Sequence, residues 1–457
     1  MSDISRVFAG YALTQSTFTD SAYEAAKTFI LDSLGVGIAG ANAPFGEAVF
    51  KTIQSWGQGT DTHLWGRGVK APTASAAYLN GFQIHAMEYD CVHEPAVVHP
   101  MATILAAISA EADCQNCIAG REFLEAVIVA VDVAVELGTA VTSPLKFFRP
   151  ATAGLFGATL GIARLRGFDI TTTLSAMGCA LAQCAGVMQA HVEGKPTLPV
   201  QIAGAARAAV VACDLAQAGL HGPESALEGP FGYFNMFEEA ANAQVAADNL
   251  GRIHRITEVS WKPFPTGRAA QGGIVLLQKL RQQGVTLDNL DALTLSAPPI
   301  IQRLVDRPMI EAMTANYARL CFPYLASIVL MRGTVGLDDF TTVDLESPVI
   351  RRASLAAKVD INHISDPAEF VPQSVRARLK DGTEKTARID TLFGSPQAPL
   401  SEDQHLEKFR NCINYGFSTE VLSDVKAKAV ADRLITLVEN LERSKDCSEL
   451  FSLAAGL

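Results

Sequence analysis

Residues 85–100, HAMEYDCVHEPAVVHP, set three histidines (His85, His93, His99) among three carboxylates (Glu88, Asp90, Glu94) inside otherwise apolar sequence. An imidazole beside a carboxylate is equipped for proton transfer near neutral pH, because the carboxylate orients the ring and supports its cation. Pro95 and Pro100 stop a continuous helix, so His93 and His99 are expected on a loop between helices. Two other readings stand beside catalysis. A zinc site would use the same residue types, although His93 and His99 lack the i, i+4 spacing of common helical zinc motifs. Hydrogen bonding at helix ends would involve no chemistry at all.

Cations that could hold an anionic substrate lie elsewhere. Lys195 sits between Gly194 and Pro196, just before the Ala-rich stretch from Ala203, where it and a helix N-terminus could hold a carboxylate. A solvated loop lysine is the plainer reading. Lys262 and Arg268 bracket KPFPTGR at a change of sequence style, and clefts often form at such boundaries. Arg149, after two phenylalanines, is costly to bury unless paired. Tyr324 in CFPYLAS is either a core phenol or a proton donor. Cys114-Gln-Asn-Cys117 is a lone CxxC, which argues against metal or redox use. No Walker loop, GxGxxG, HExxH or nucleophile-elbow GxSxG is present, so nucleotide cofactors have no support. The residue kit favours acid/base chemistry on an anion.

The elements that must position these groups are mostly helical up to about Thr257. In Arg121–Gly138, Glu125, Asp132 and Glu136 form a narrow polar stripe, so this helix is buried on most sides. Small-residue runs after Leu34, from Ala151 and from Ala203 allow close helix packing. The style then changes. Ala292–Ser296 alternates as a strand ended by Pro298–Pro299, and Asn316–Gly333 looks helical. Ser374–Lys380 and Thr383–Asp390 form a hairpin about Asp381–Gly382. Ser401 and Gln404 make a capping box that opens another helix, and Val430, Leu434, Leu437, Val438 and Leu441 share a helical face. The predicted fold is therefore mainly α. A large all-helical domain comes from both chain ends (1–263 and 394–457), and a smaller α+β domain (264–393) is inserted between them.

Composition sets the outer bounds. A chain of 457 residues with 49% hydrophobic and 19% charged residues has material for two or three folding units and is not disordered as a whole. Its net charge of −11, with no compensating Lys/Arg cluster, argues against nucleic acid as partner. The first ten residues lack a secretory signal pattern. The longest charge-free stretch, Ile170–Val192, is long enough to span a bilayer. It carries Ser, Gln, His, Thr and Gly, so a buried helix and no membrane are expected. Nine scattered cysteines argue against a disulfide framework, and the chain reads as reduced, soluble and cytoplasmic.

Taken together, LDSLGVGIAG, AAYLNGFQIHAMEYDCVHEPAVVHP, RPATAGLFGATLGIARLRGFD, GKPTLPVQIAGAARAA, KPFPTGR, CFPYLASIVLMRG and LSEDQHLEKFRNC resemble, in order and spacing, the MmgE/PrpD family. That family includes 2-methylcitrate dehydratases, cis-aconitate decarboxylases and an iminodisuccinate epimerase. The resemblance implies a homodimer, an α+β lid and an active site in the cleft beneath it. It places Glu88, Asp90, His93, His99, Lys262 and Tyr324 in that site. The chain departs from the family in four places. Cys91-Val92 stands where Asp-Thr is usual, and Leu198 and Gln201 stand where many members have Lys and His. Gln271 and Arg149 each replace a histidine.

The resulting expectation is a cofactor-independent, metal-free dehydratase acting on a citrate-like di- or tricarboxylate. His99 would act at carbon, Asp90 would orient an imidazole, and His93 or Tyr324 would serve the leaving hydroxyl. Lys262, Arg268, Lys195 and Arg149 would hold carboxylates, and Glu88 and Gln271 would also bind the substrate. Decarboxylation and epimerisation use the same kit. A non-catalytic carboxylate-binding protein and a metal-dependent hydrolase are the readings from other classes.

Overall fold

The computed structural model describes residues 3–115, 117–143, 145–363, 369–417 and 423–457. Its hydrophobic residues gather into two large cores. One draws on residues from Ile4 to Val259 and again from Phe409 to Ala454; the other draws on Phe264 to Leu392.

The first core is a stack of helices that approach closely because glycines line their crossings. Gly120–Thr139 packs along Arg149–Leu165, and a Cβ placed on Gly157 would lie 2.4 Å from the Ala130 carbonyl oxygen. The polar stripe of Gly120–Thr139 is consumed internally. Asp132 accepts from the Tyr11 hydroxyl at 2.5 Å and the Arg255 amide at 2.6 Å, Glu136 pairs with Arg255, and Glu125 pairs with Arg164. The C-terminal helix Glu402–Gly416, opened by the Ser401–Gln404 capping box, packs on Asp20–Ala39 near the N-terminus. There a Cβ on Gly35 would meet the Phe409 ring at 2.7 Å, so the two chain ends close on one another.

Two sequence readings need correcting here. A short hairpin of β1 (Thr62–Leu64) and β2 (Val69–Ala71) interrupts the helices of this unit. The charge-free Ile170–Val192 stretch is two helices, Ile170–Leu181 and Gln189–Glu193, with turns between them. Leu198–Gln217 is the one described helix long and apolar enough to cross a membrane. It packs against Thr73–His85 and Arg149–Leu165 within the core.

The second core lies under a four-stranded sheet of order β4-β3-β5-β6, with β3 (Leu290–Ala297), β4 (Ala357–Ile361), β5 (Gln373–Leu379) and β6 (Glu384–Ile389). The Asp381–Gly382 hairpin pairs β5 with β6, and β3 runs antiparallel to β5 but parallel to β4. Helices Arg268–Gln282 and Phe322–Arg332 pack together against the sheet. The predicted helix from Asn316 is broken after Ala318. The next helix starts at Phe322 with Pro323 in its first turn, where a proline is tolerated.

Candidate active site

The chain leaves the helix Thr73–His85 and re-enters a helix at Pro100–Gln115; the loop between them carries the chemistry. Its path is fixed from outside as much as from within. Val92 pairs with Ser260 across to the start of the KPFPTGR segment, and His93 pairs with Val98 to close a tight turn. Glu88 and Val97 both hold left-handed backbone, at φ 53° and 52°. Such conformations in non-glycine residues cost about 1–3 kcal/mol each and persist only where the surroundings enforce them.

At the centre of this loop is Asp90, with a side chain 0% exposed. One of its oxygens, Oδ2, lies 3.0 Å from His85 Nδ1 and 3.0 Å from His99 Nδ1. The other, Oδ1, faces Lys262 Nζ at 3.5 Å, and the same ammonium donates to Glu88 Oε2 at 3.0 Å. The two imidazoles stand nearly perpendicular with centroids 5.0 Å apart. Only His99, 14% exposed, reaches appreciably toward solvent.

This arrangement separates the protonation states of the two rings. Burial alone would raise the Asp90 carboxyl, but His85, Lys262 and His99 outweigh it and hold it well below the usual carboxylate range. The same competition brings Glu88 down to about 2, chiefly through Lys262. His85 is lowered by burial but raised further by Asp90 and Glu88, so its cation is favoured. For His99, burial and the neighbouring Lys262 prevail over Asp90, and the neutral ring is favoured. With Nδ1–H donated to Asp90, neutral His99 keeps a lone pair on Nε2. Paired groups whose environments push their pKa values apart are the usual signature of an acid and a base.

His85, Asp90 and His99 also bring three donor atoms within 4.8 Å of one another, the geometry from which a metal site could be built. The residues fit a proton relay better. Both Nδ1 atoms are engaged with one carboxylate oxygen, and Lys262 already supplies a positive charge beside the other.

His85, Glu88 and His99 open onto a cavity of about 530 Å³ between the two cores. The second core contributes Arg268, Arg303 and Arg307 to its wall. Arg268 Nε is paired with Glu94 Oε1 at 2.6 Å, and its Nη1 donates to the carbonyls of Trp261 and Phe393. Arg307 Nη2 donates to the His191 carbonyl at 3.0 Å, tying the second core to the short Gln189–Glu193 helix. Arg268 Nη2 and Arg307 Nη1 are buried and have no hydrogen-bond partner among the described residues. An unpaired buried donor costs about 1–3 kcal/mol, more when charged, and three arginines around one cavity make its field positive, which suits an anionic ligand. His191, lowered to about 4 by burial with Arg307 adding to the effect, lines the same cavity as a neutral ring.

Several residues proposed from sequence stand away from this cavity. His93 turns to Glu258, 3.2 Å from its Nε2, and its Nδ1 accepts from the Ala96 amide, so it braces the loop. Tyr324 is fully buried in the second core and donates to the Asp339 carbonyl. Arg149 is buried against Glu238 at 3.0 Å and the Ala96 carbonyl at 2.8 Å, which satisfies the pairing it needs. Gln271 bonds both the amide and the carbonyl of Phe264 and so holds the KPFPTG turn. Lys195 is exposed. Lys262 reaches Asp90 and Glu88 from beneath rather than lining the cavity, and Arg268 lines it.

The residues that sequence reasoning missed are His85, His191, Arg303 and Arg307. His85 and His191 lay inside the motifs considered, and the i, i+4 spacing of Arg303 and Arg307 was the available signal for the arginines.

Known proteins match nearly the whole chain. The family model of the MmgE/PrpD N-terminal domain matches residues 3–246, and that of the C-terminal domain matches 264–433. Cis-aconitate decarboxylase of Mus musculus is 27% identical over 100% of this chain and 94% of its own length. The human protein of the same name is 26% identical over 98% and 93%. A cis-aconitate decarboxylase-like protein of Aspergillus oryzae is 26% identical over 94% and 92%.

Proposed function

This chain belongs to the MmgE/PrpD family, and on that premise we propose that it is a cofactor-independent lyase acting on a citrate-like di- or tricarboxylate by proton transfer at carbon. The observation that carries the reading is Asp90 shared between an imidazole favoured as neutral and one favoured as cation, beside a cavity that three arginines also line.

In dehydration, His99 Nε2 takes the proton from the carbon next to a substrate carboxylate, and Asp90 supports the imidazolium that forms. Negative charge grows on that carboxylate as the C–H bond breaks, and the positive charge of Arg268, Arg303 and Arg307 around the cavity would stabilise it. His85, favoured as the cation and with no hydrogen bond on Nε2, which lies 4.0 Å from Glu88 Oε1, gives its proton to the departing hydroxyl. The carbon–oxygen bond breaks, the alkene forms, and water leaves.

Decarboxylation is the second reading, favoured by the names of the relatives. Apolar walls such as Phe148, Leu198 and Leu320 would desolvate the departing carboxylate, and an imidazolium would protonate the carbanion.

Purified, chelator-treated protein incubated in deuterated water with citrate, 2-methylcitrate, isocitrate, cis-aconitate and C4–C6 dicarboxylates, followed by proton NMR, tests this. Alkene appearing with loss of water supports the dehydratase, and loss of carbon dioxide supports the decarboxylase. Solvent deuterium entering without either loss indicates epimerisation. Ligand that binds yet stays unchanged, with no difference from a His99→Ala control, would sink the enzyme reading.

A further inference from the structure

The cavity is too large and too apolar for a citrate alone. A C6 tricarboxylate occupies roughly 200 Å³ at protein packing density, less than half of the 530 Å³ available. The polar groups that line this space are His85, Glu88, Glu94, His99, His191 and the three arginines. The remaining wall is hydrocarbon, with Leu145, Phe148, Met188 and Leu198 from the first core and Ile300 and Leu304 from the second. Phe148 and Leu198 are buried, and the Phe148 ring lies 5.7 Å from that of His85, so the apolar wall begins beside the reacting groups. A hydroxylated or charged substituent laid there would lose water without gaining partners.

Resting on the lyase reading above, we propose that the substrate is a di- or tricarboxylate bearing a hydrocarbon substituent of about four to eight carbons, lying against this apolar wall. The carboxylates lie toward Arg268, Arg303 and Arg307, and the chain fills the space that a citrate leaves open.

The test is a ladder of non-reacting dicarboxylates, succinate and its 2-methyl to 2-hexyl derivatives, titrated calorimetrically into the intact protein. Each buried methylene should tighten binding by up to about fourfold, so the butyl compound should bind at least tenfold more tightly than the methyl one. Met188→Gln should flatten that slope, with Leu198→Gln as the alternative if the first variant does not fold. A flat or falling ladder, no binding by any member, or a slope untouched in a folded variant overturns the inference. The lyase reading is scored separately, by alkene formation from 2-alkylcitrates against citrate. A rising ladder without turnover of citrate or any 2-alkylcitrate would retain the ligand class and remove the lyase. Turnover of citrate with a flat ladder would do the reverse.

Discussion

Replacing Asp90 by Asn is the sharpest perturbation of the site, because it keeps shape and removes one charge. In the native protein both imidazole Nδ1 atoms lie 3.0 Å from Oδ2, while Oδ1 faces the Lys262 ammonium at 3.5 Å. An asparagine has no orientation that meets both demands. With its oxygen toward the histidines, its NH2 points at the ammonium; turned over, its NH2 meets two imidazole N–H groups and forces a tautomer change that consumes the lone pair on His99 Nε2. Loss of the oriented base alone is worth about 10²–10⁴ in rate. Loss of the charge that supports the imidazolium acts in the same direction, so kcat/KM should fall about 10³-fold or more, near 4 kcal/mol in the barrier. Stability should also drop, by up to about 3–5 kcal/mol, because Lys262 and His85 lose a buried counter-charge. Deprotonation of His85 would relieve part of that. The assay is kcat/KM on the substrate identified by NMR, beside a thermal melt showing that the variant is folded at the assay temperature. A folded Asp90→Asn protein within tenfold of wild type would refute the claim that Asp90 orients the reacting imidazole.

Three further outcomes follow from the same geometry. Because burial and Lys262 lower His99, the acid limb of kcat/KM should fall below the ordinary histidine value of about 6.5; a limb above 6.5, persisting in His93→Gln, would assign the base elsewhere. Glu88, at about 2 when folded, is depressed relative to its unfolded value of about 4.3, so it stabilises fully above the latter and the gain is lost as pH falls through 2. Urea midpoints should therefore decline between about pH 4.3 and 2, and Lys262→Met, which raises the folded value toward the unfolded one, should shrink that decline; an unchanged decline would disconnect the lysine from Glu88. Tyr324→Phe should cost about 1–3 kcal/mol by leaving the buried Asp339 carbonyl without its donor, with kcat within a factor of about two (order-of-magnitude tolerance of a distant core change). A kcat loss of a hundredfold at unchanged fold would return Tyr324 to the reacting groups.

Local signals were legible where local chemistry decides the outcome. The Asp-Gly turn set the β5–β6 register, the Ser401–Gln404 box opened its helix, and Glu125, Asp132 and Glu136 of Gly120–Thr139 marked a stripe that had to find partners. Strand β4 escaped notice because AKVDI keeps only Val359 buried, at the edge of the sheet, so its pattern is too short to alternate visibly. The break after Ala318 escaped because Arg319 is buried against the Pro265 carbonyl, a tertiary contact that no spacing reports. The site was legible as a segment but not as a set of directions. Sequence favoured His93 over His85, yet the Val92–Ser260 and His93–Val98 pairings turn His93 outward to Glu258, while the end of its helix delivers His85 to Asp90.

The site is also locally unfavourable, and that bears on how it is held. Two left-handed non-glycine residues, a buried Lys–Glu–Asp group and unpaired arginine donors all lie within or around the loop before Pro100. Each raises the free energy of the folded state unless the frame prevents relaxation. The frame here is the helix stack whose backbones meet at Gly157 and Gly161, with the loop fastened to Ser260 on one side and, through Arg149, to the Ala96 carbonyl on the other. Arg149 and His93, expected at the substrate, therefore act on the chemistry through rigidity. Both brace the turn that holds Val97 left-handed and sets His99 against Asp90. Arg307 also joins the two cores through the His191 carbonyl, so the arginine that lines the cavity is itself part of the frame.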